Sequence, residues 1–114
     1  MKTVVAQIEG IGGISFSRYH NLPELEGESP DAHDMRTWRE KLHYDPRTKD
    51  VFMPGIMLKF ALDYTASQIG MKIGGRGNKT WASVFKSGVM CAEPIMLGIK
   101  LDDPSIQMIE ILAN

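Results

Sequence analysis

Apolar and polar residues alternate near both ends of the chain, which is the pattern of half-buried β-strands. The alternation predicts strands at residues 3–9 and 14–20, separated by glycines, and these two would form a hairpin or one bulged strand. Toward the other end it predicts strands at residues 89–92, 95–100 and 106–113. The last of these would be paired inside the sheet or would leave an edge open for a second subunit.

The middle of the chain has the periodicity of helices. The principal helix is predicted over residues 55–69, after Pro54 and before Gly70, which suits a left-handed C-terminal cap. Its apolar stripe predicts packing on a sheet, widened by Phe60 and Tyr64. The stripe consists of Leu58, Ala61, Leu62, Thr65 and Ile69.

Shorter elements flank this helix. Ser29 and Pro30 predict a short helix that ends near Arg36. The turn residues 45–50 predict a hairpin between a strand that begins near Trp38 and a strand at residues 51–53. One or two helical turns are expected over residues 80–86, with Trp81, Val84 and Phe85 facing inward.

Together these patterns predict a single α+β domain over residues 1–114, with a mainly antiparallel sheet and one principal packed helix, residues 55–69. The length of 114 residues, with 43% hydrophobic residues, is typical of one globular domain. One cysteine, Cys91, excludes an internal disulfide. With no signal peptide and no apolar run near 20 residues, the sequence predicts a cytoplasmic protein without a membrane partner.

No catalytic constellation is present, so the sequence predicts a non-enzyme that has no cofactor and no metal site. The glycines at residues 10–13 follow a predicted strand, as in a dinucleotide-binding loop. The third glycine of that fingerprint would fall at Ser15, and no helix is predicted after it.

Local positive charge is the remaining candidate chemistry, because the formal net charge is only −1. Residues 71–88 contain no acid. Glycines in this stretch let backbone N–H groups approach a phosphate, and Trp81 would stack on a base if it were exposed. The other interpretation is a mobile surface loop with Trp81 in the core. The candidate nucleic-acid-binding residues here are Lys72, Arg76, Lys79 and Trp81.

A second basic candidate lies on the predicted hairpin. If this part of the chain is a strand, Arg39, Lys41 and His43 share one face and form a basic stripe. A solvated strand face is the alternative.

Residues 51–62, with Pro54, Gly55, Leu58, Lys59 and Leu62, resemble the strand-Pro-Gly-x-x-Leu-Lys-x-x-Leu entry to the first helix of the RAMP superfamily. These are RNA-binding and RNA-processing proteins of CRISPR effector complexes. The resemblance implies a ferredoxin-like fold, related to the RNA-recognition-motif fold, and single-stranded RNA as a partner. It gives no catalytic residue. The late basic glycine-rich loop of that family is missing here, and the glycine loop at residues 74–77 comes earlier.

The whole chain, including Ser17-Arg18-Tyr19-His20, also looks like small phage-encoded proteins. This likeness gives a second hypothesis, an anti-CRISPR inhibitor that binds a host effector complex through acidic residues imitating nucleic acid. Those partner-binding candidates are Glu24, Glu26, Glu28, Asp31 and Asp34. A third hypothesis is an assembly protein that oligomerises through the open edge at residues 106–113.

Overall fold

The structure is a computed structural model that describes residues 1–108. In chain order it contains helix α1, strand β1, helices α2 and α3, and strand β2. Their bounds are Pro30–Thr37, Asp50–Met53, Gly55–Ile69, Trp81–Gly88 and Ile95–Lys100. A 3-10 helix, Trp38–Lys41, follows α1 directly. The predicted α+β class with antiparallel strand pairing is confirmed.

The sheet of the described residues consists of β1 and β2, which pair antiparallel. Asp50 lies opposite Lys100, and Met53 lies opposite Ile95, with an irregularity in the register between Asp50 and Phe52. Within residues 1–108 the sheet thus has two strands. A ferredoxin-like fold requires a larger sheet, which these residues do not form. Of the predicted strands after α2, residues 95–100 are confirmed.

The helix termini follow their sequence signals. The Ser29 side chain accepts a hydrogen bond from the Ala32 backbone N–H at 3.2 Å, and Pro30 occupies the first turn of α1. Helix α2 ends at Ile69 and is capped by Gly70, which has φ +60° and donates its N–H to the Ala66 carbonyl. Both the bounds of α2 and its left-handed cap agree with the prediction.

Residues 1–29 contain no regular strand or helix, so the predicted strands at 3–9 and 14–20 are wrong. A strand needs a neighbouring strand to bind its backbone groups. Here one backbone bond, from the Arg18 N–H to the Lys41 carbonyl at 2.9 Å, joins this segment to the hairpin region. Val4 and Val5 remain exposed, because alternation alone does not supply a pairing partner.

Two further predicted strands differ from the structure. Residues 89–92 form irregular backbone rather than a strand, because the Cys91 and Glu93 carbonyls lie against Gly55 at the start of α2. The predicted last strand, residues 106–113, has no strand at 106–108, and its remainder lies outside the described residues.

The hairpin around residues 45–50 is confirmed in a shortened form. Tyr44 and Val51 form an isolated antiparallel bridge, and the Phe52 N–H binds the His43 carbonyl at 3.0 Å. Asp45 initiates the turn by accepting the Arg47 N–H through its carboxylate. The strand predicted from Trp38 does not form, since residues 38–41 continue the turn of α1 as a 3-10 helix.

Few side chains of the described residues are buried, and they belong to α1, the hairpin around residues 45–50 and α2. Leu42 and Val51 are the buried hydrophobic side chains among the described residues, and Thr37 and Lys59 are the buried polar ones. Within α2, Leu58 and Leu62 are half-buried while Thr65 and Ile69 are exposed, so the predicted stripe packs along half of its length. None of the helices within residues 1–108 combines the length and the apolar character needed to cross a bilayer.

Candidate nucleic-acid interface

The predicted basic loop is an ordered hairpin between α2 and α3. Lys72 and Thr80 form an antiparallel bridge, and the Ile73 N–H binds the Lys79 carbonyl at 2.8 Å. At its base the Trp81 N–H binds the Met71 carbonyl at 3.0 Å. Residues 72–80, called the basic hairpin below, are therefore held by their own backbone hydrogen bonds.

The tip of the basic hairpin turns at two glycines. Gly75 has φ +74° and Gly77 has φ +63°, conformations that residues with a Cβ atom rarely adopt. Between them Arg76 donates its N–H to the Ile73 carbonyl at 3.2 Å and accepts the Lys79 N–H at 3.3 Å. The glycines fold the tip so that the side chains of Arg76 and Lys79 point into solvent.

The cations of the basic hairpin are exposed and largely uncommitted. Arg76 and Lys79 form no side-chain hydrogen bond or ion pair with any residue that the structure describes. Lys72 is exposed and makes one neutral contact, from its Nζ to Asn78 Oδ1 at 3.3 Å. These charges are available to an external anion without breaking an internal contact.

Trp81 begins α3 directly after the basic hairpin. Its side chain was predicted to face inward together with Val84 and Phe85. In the structure Phe85 is half-buried, but Trp81 is 40% exposed and Val84 is 38% exposed. These three positions share one face of α3, and the contact of α3 with α2 leaves part of that face open to solvent. The indole therefore has an accessible surface, at the position that directly follows the basic hairpin.

Residues 55–92, which include α2, the basic hairpin and α3, are called the helical unit below. The unit contains five basic residues and one acidic residue, Asp63, giving a net charge of +4 at neutral pH. The chain as a whole has a net charge of −1. Positive charge is thus concentrated in this unit. Its basic residues are Lys59, Lys72, Arg76, Lys79 and Lys86.

The one carboxylate of the helical unit is neutralised internally. Lys59 is buried, and its Nζ lies 2.7 Å from Asp63 Oδ1 one turn along α2. The same ammonium donates to the backbone carbonyls of Phe85 and Lys86 in the last turn of α3. Its three donors are thereby satisfied. The positive charge also favours the negative end of the α3 dipole, so this contact joins the two helices.

The second predicted basic group, Arg39 and Lys41 with His43, does not form one exposed face in the structure. Arg39 stacks on Trp38, with its guanidinium carbon 4.5 Å from the ring centroid, and donates to the Leu101 carbonyl. Lys41 lies 3.7 Å from an Asp34 carboxylate oxygen. The prediction that Arg39 and Lys41 share a strand face with His43 is wrong, because a 3-10 helix turns successive side chains through about 120°.

His43 has a packing environment instead. Its ring centroid lies 6.1 Å from those of both Phe16 and Phe52. Burial, with a smaller contribution from the nearby Arg18 charge, lowers the pKa of His43 below its ordinary value. The imidazole therefore helps to hold the N-terminal segment against β1.

The acidic segment, residues 21–34, uses part of its charge to fix its own conformation. Arg36 Nε donates to Glu28 Oε1 at 2.8 Å, and the Leu25 N–H donates to Glu28 Oε2 at 2.8 Å. The hydrogen bond from Arg36 and that from the Leu25 N–H lower the pKa of Glu28 to about 2. His33 Nε2 also binds the Leu22 carbonyl at 2.8 Å.

Among the other acidic residues predicted to bind a protein partner, Glu24, Glu26 and Asp31 are exposed. Asp34 is exposed as well and lies near Lys41. The structure thus divides the acidic candidates into an internally bound Glu28 and exposed carboxylates along the same segment.

One cationic cluster was missed by the sequence analysis. The Arg18 guanidinium carbon and Lys49 Nζ lie 5.5 Å and 5.2 Å from the centroid of the Tyr44 ring. Tyr44 donates its hydroxyl to Glu40 at 2.6 Å, a bond that raises the tyrosine pKa. No local pattern joins residues 26 positions apart, so the sequence carried no signal for this cluster.

A cavity of about 780 Å³ lies between the N-terminal segment and β2. Its described lining is mostly apolar and includes Phe16, Leu97 and Ile99, with Lys41 as the charged residue. No His, Cys, Asp or Glu is found in that lining. Within residues 1–108, no three such side chains lie close enough together to hold a metal ion.

Comparison with protein-family models, with curated proteins and with solved structures finds no match to this chain. The RAMP resemblance of residues 51–62 and the likeness to phage proteins therefore stay predictions from the sequence.

Proposed function

We propose that the chain is a non-catalytic protein that binds single-stranded nucleic acid, RNA in particular, through the basic hairpin. The observation that carries this proposal is the set of uncommitted cations at the hairpin tip, where Arg76 and Lys79 have no internal partner among the described residues. Phosphates bound there would replace water and counterions rather than an existing ion pair.

The surroundings support the same ligand. The helical unit presents a net charge of +4, and its one carboxylate is already bound to Lys59. The exposed Trp81 indole offers a flat surface for a base next to the phosphate contacts. The preference for RNA over DNA rests on the RAMP resemblance, which implies RNA as a partner.

The test is the affinity for a labelled random single-stranded RNA at several salt concentrations, for the unchanged protein and for an Arg76→Ala/Lys79→Ala variant. Each phosphate contact contributes about 0.7 to the slope of log affinity against log salt for a single strand. We expect the double variant to bind at least tenfold more weakly and to lose about 1.4 from that slope.

The matched control is Lys2→Ala/Arg47→Ala, which removes the same net charge from exposed positions outside the helical unit. It should retain nearly all of the affinity. An equal loss in the control and in the hairpin variant would show that net charge alone drives binding, and would contradict the proposal for the basic hairpin.

The exposed carboxylates of the acidic segment support a second candidate, an inhibitor that binds a basic protein such as a CRISPR effector subunit. Glu24, Glu26 and Asp31 are exposed, while Glu28 anchors the segment to Arg36. The test is a pull-down with a purified effector complex. In this case the complex should bind the unchanged chain and should not bind the Glu24→Gln/Glu26→Gln/Asp31→Asn variant. Failure of the unchanged chain to bind the complex would remove this candidate.

A further inference from the structure

Helix α2 presents two large aromatic side chains to solvent. Phe60 is 64% exposed and Tyr64 is 67% exposed, although both were predicted to widen a buried face. They are four residues apart and so lie one above the other on the same side of the helix. Their exposure is a departure of α2 from the predicted packing.

The packing of α2 explains why they are outside. Lys59 faces α3, and its buried ammonium fixes this orientation by binding the α3 carbonyls. Gly55, one turn earlier on the same face, lies against residues 91–93. Phe60 follows Lys59 by one position, about 100° further around the helix. The Lys59 contact therefore turns the aromatic pair away from α3.

The electrostatics of this face favour an anionic ligand. Between Ile56 and Ala92 the one acidic residue is Asp63, whose carboxylate is bound to Lys59 and is mostly buried. The exposed aromatic pair therefore has no unpaired carboxylate of the helical unit beside it. An anionic polymer that follows α2 would meet no unpaired negative charge from this unit.

The position of the pair relative to the basic hairpin suits one continuous ligand. Phe60 and Tyr64 are separated by about 6 Å along the helix axis, and Tyr64 lies about 8 Å before the end of α2. The basic hairpin begins three residues after that end, at Lys72. One strand of a few nucleotides can therefore span from the aromatic pair to the hairpin.

We infer that Phe60 and Tyr64 form a base-stacking surface which makes binding at the basic hairpin selective for single strands. This inference rests on the proposed function, because the hairpin supplies the phosphate contacts. Bases of a single strand expose their faces and stack on aromatic rings, whereas bases in a duplex are already stacked on one another. The cations alone would not distinguish the two forms.

The experiment compares a single-stranded RNA, the duplex of the same sequence and inorganic polyphosphate as ligands of the unchanged protein and of Phe60→Leu/Tyr64→Leu. Leucine keeps the helix propensity and an apolar surface but removes the flat ring. We expect single-strand affinity to fall tenfold or more, while affinity for duplex and polyphosphate stays within twofold. The salt slope should not change, because stacking neutralises no phosphate.

The conservative variant Tyr64→Phe keeps the ring, and we expect it to retain single-strand affinity within twofold. Circular dichroism of the leucine variant should match that of the unchanged protein, since both side chains are exposed. An unchanged single-strand affinity in the leucine variant, or an equal loss for all three ligands, would overturn the inference.

Two other results would also overturn it. A wild-type dimer at the assay concentration that becomes monomeric in the leucine variant would show that a second copy covers this face. If the unchanged protein bound none of the three ligands, the proposed function would fail, and the inference with it. Retained polyphosphate binding together with an unaffected single-strand affinity would reject only the stacking surface.

Discussion

The acidic segment and the basic hairpin are both charged surface regions, but their charges have different partners. In the acidic segment, Glu28 binds Arg36 and the Leu25 N–H, and this contact shapes the loop before α1. In the basic hairpin the backbone supplies the order, and Arg76 and Lys79 are left without partners among the described residues. Charges that do not hold the fold are the ones available to a ligand.

The same contrast is found inside the helical unit. Lys59 is as basic as Lys79, yet it is buried and fully bound by Asp63 and by the end of α3. Substituting Lys59 should therefore change stability, and substituting Lys79 should change binding. The following predictions test this separation, starting with the largest expected effect.

Removing the buried ammonium should have the largest effect on stability. Lys59→Met leaves the mostly buried Asp63 carboxylate without its counter-ion and removes the hydrogen bonds that the ammonium donates to the Phe85 and Lys86 carbonyls. We expect the free energy of unfolding to fall by about 3–5 kcal/mol. Denaturant unfolding followed by circular dichroism measures this loss, and Lys79→Met is the control that should remain within about 0.5 kcal/mol of the unchanged protein.

Equal losses of unfolding free energy in Lys59→Met and Lys79→Met would contradict the distinction between the bound and the free lysine. Adding Asp63→Leu to Lys59→Met removes the unpaired carboxylate, so part of the lost stability should return. A double variant as unstable as the sum of the two single variants would mean that Lys59 and Asp63 do not act as a pair.

A methyl group at the start of α2 should have the next largest effect. A Cβ atom on Gly55 would lie 2.3 Å from the Cys91 carbonyl oxygen and 2.7 Å from that of Glu93. Both contacts are with backbone, so Gly55→Ala must push residues 91–93 away from α2. We expect a loss of about 1–3 kcal/mol, measured by thermal unfolding.

Gly88→Ala is a suitable control for this substitution, since nothing lies within 4 Å of its Cβ position. It should leave the unfolding temperature close to that of the unchanged protein. A Gly55→Ala protein with unaltered stability would show that α2 does not approach residues 91–93 as closely as described.

The C-terminal cap of α2 should contribute less. Gly70 has φ +60°, so Gly70→Ala forces an L-residue into the left-handed region, at a cost of about 1 kcal/mol. Gly74→Ala is the matched control, because Gly74 has neither a positive φ nor a close neighbour. Equal stabilities of the two variants would indicate that the helix end is not fixed at Gly70.

The smallest expected effect is on titration in the acidic segment. Arg36 and the Leu25 N–H hold the pKa of Glu28 at about 2, below the ordinary value of 4.5. Because the folded-state pKa is lowered, this contribution to stability is fully present above about pH 4.5 and is lost as the pH falls through about 2. Carboxyl ¹³C shifts measure this titration directly.

In Arg36→Gln the Glu28 titration should move upward toward the ordinary range. No hydrogen bond or ion pair of the described residues connects Arg36 or Glu28 with the basic hairpin, so single-strand RNA affinity at pH 7 should be the same in Arg36→Gln as in the unchanged protein. A Glu28 midpoint that does not move would mean that Arg36 is not its partner.

Local sequence signals predicted the elements that depend on neighbouring residues. The capping residues Ser29 and Gly70, the bounds of α2 and the turn after Asp45 agree with the structure, because propensity, caps and turn chemistry act over a few residues. The strands predicted at 3–9 and 14–20 are absent, because a strand also depends on a partner that is distant in sequence.

The candidate site follows the same division. The sequence by itself determined the charge pattern. It gave the basic residues Lys72, Arg76 and Lys79, the acidic segment, and a stretch without Asp or Glu at residues 71–88. The tertiary structure alone decided which charges are bound and which are free. It placed Lys59 inside, Arg39 on Trp38, and Phe60 and Tyr64 outside. Burial and ion pairing depend on contacts between residues far apart in the chain, and no local pattern encodes those contacts.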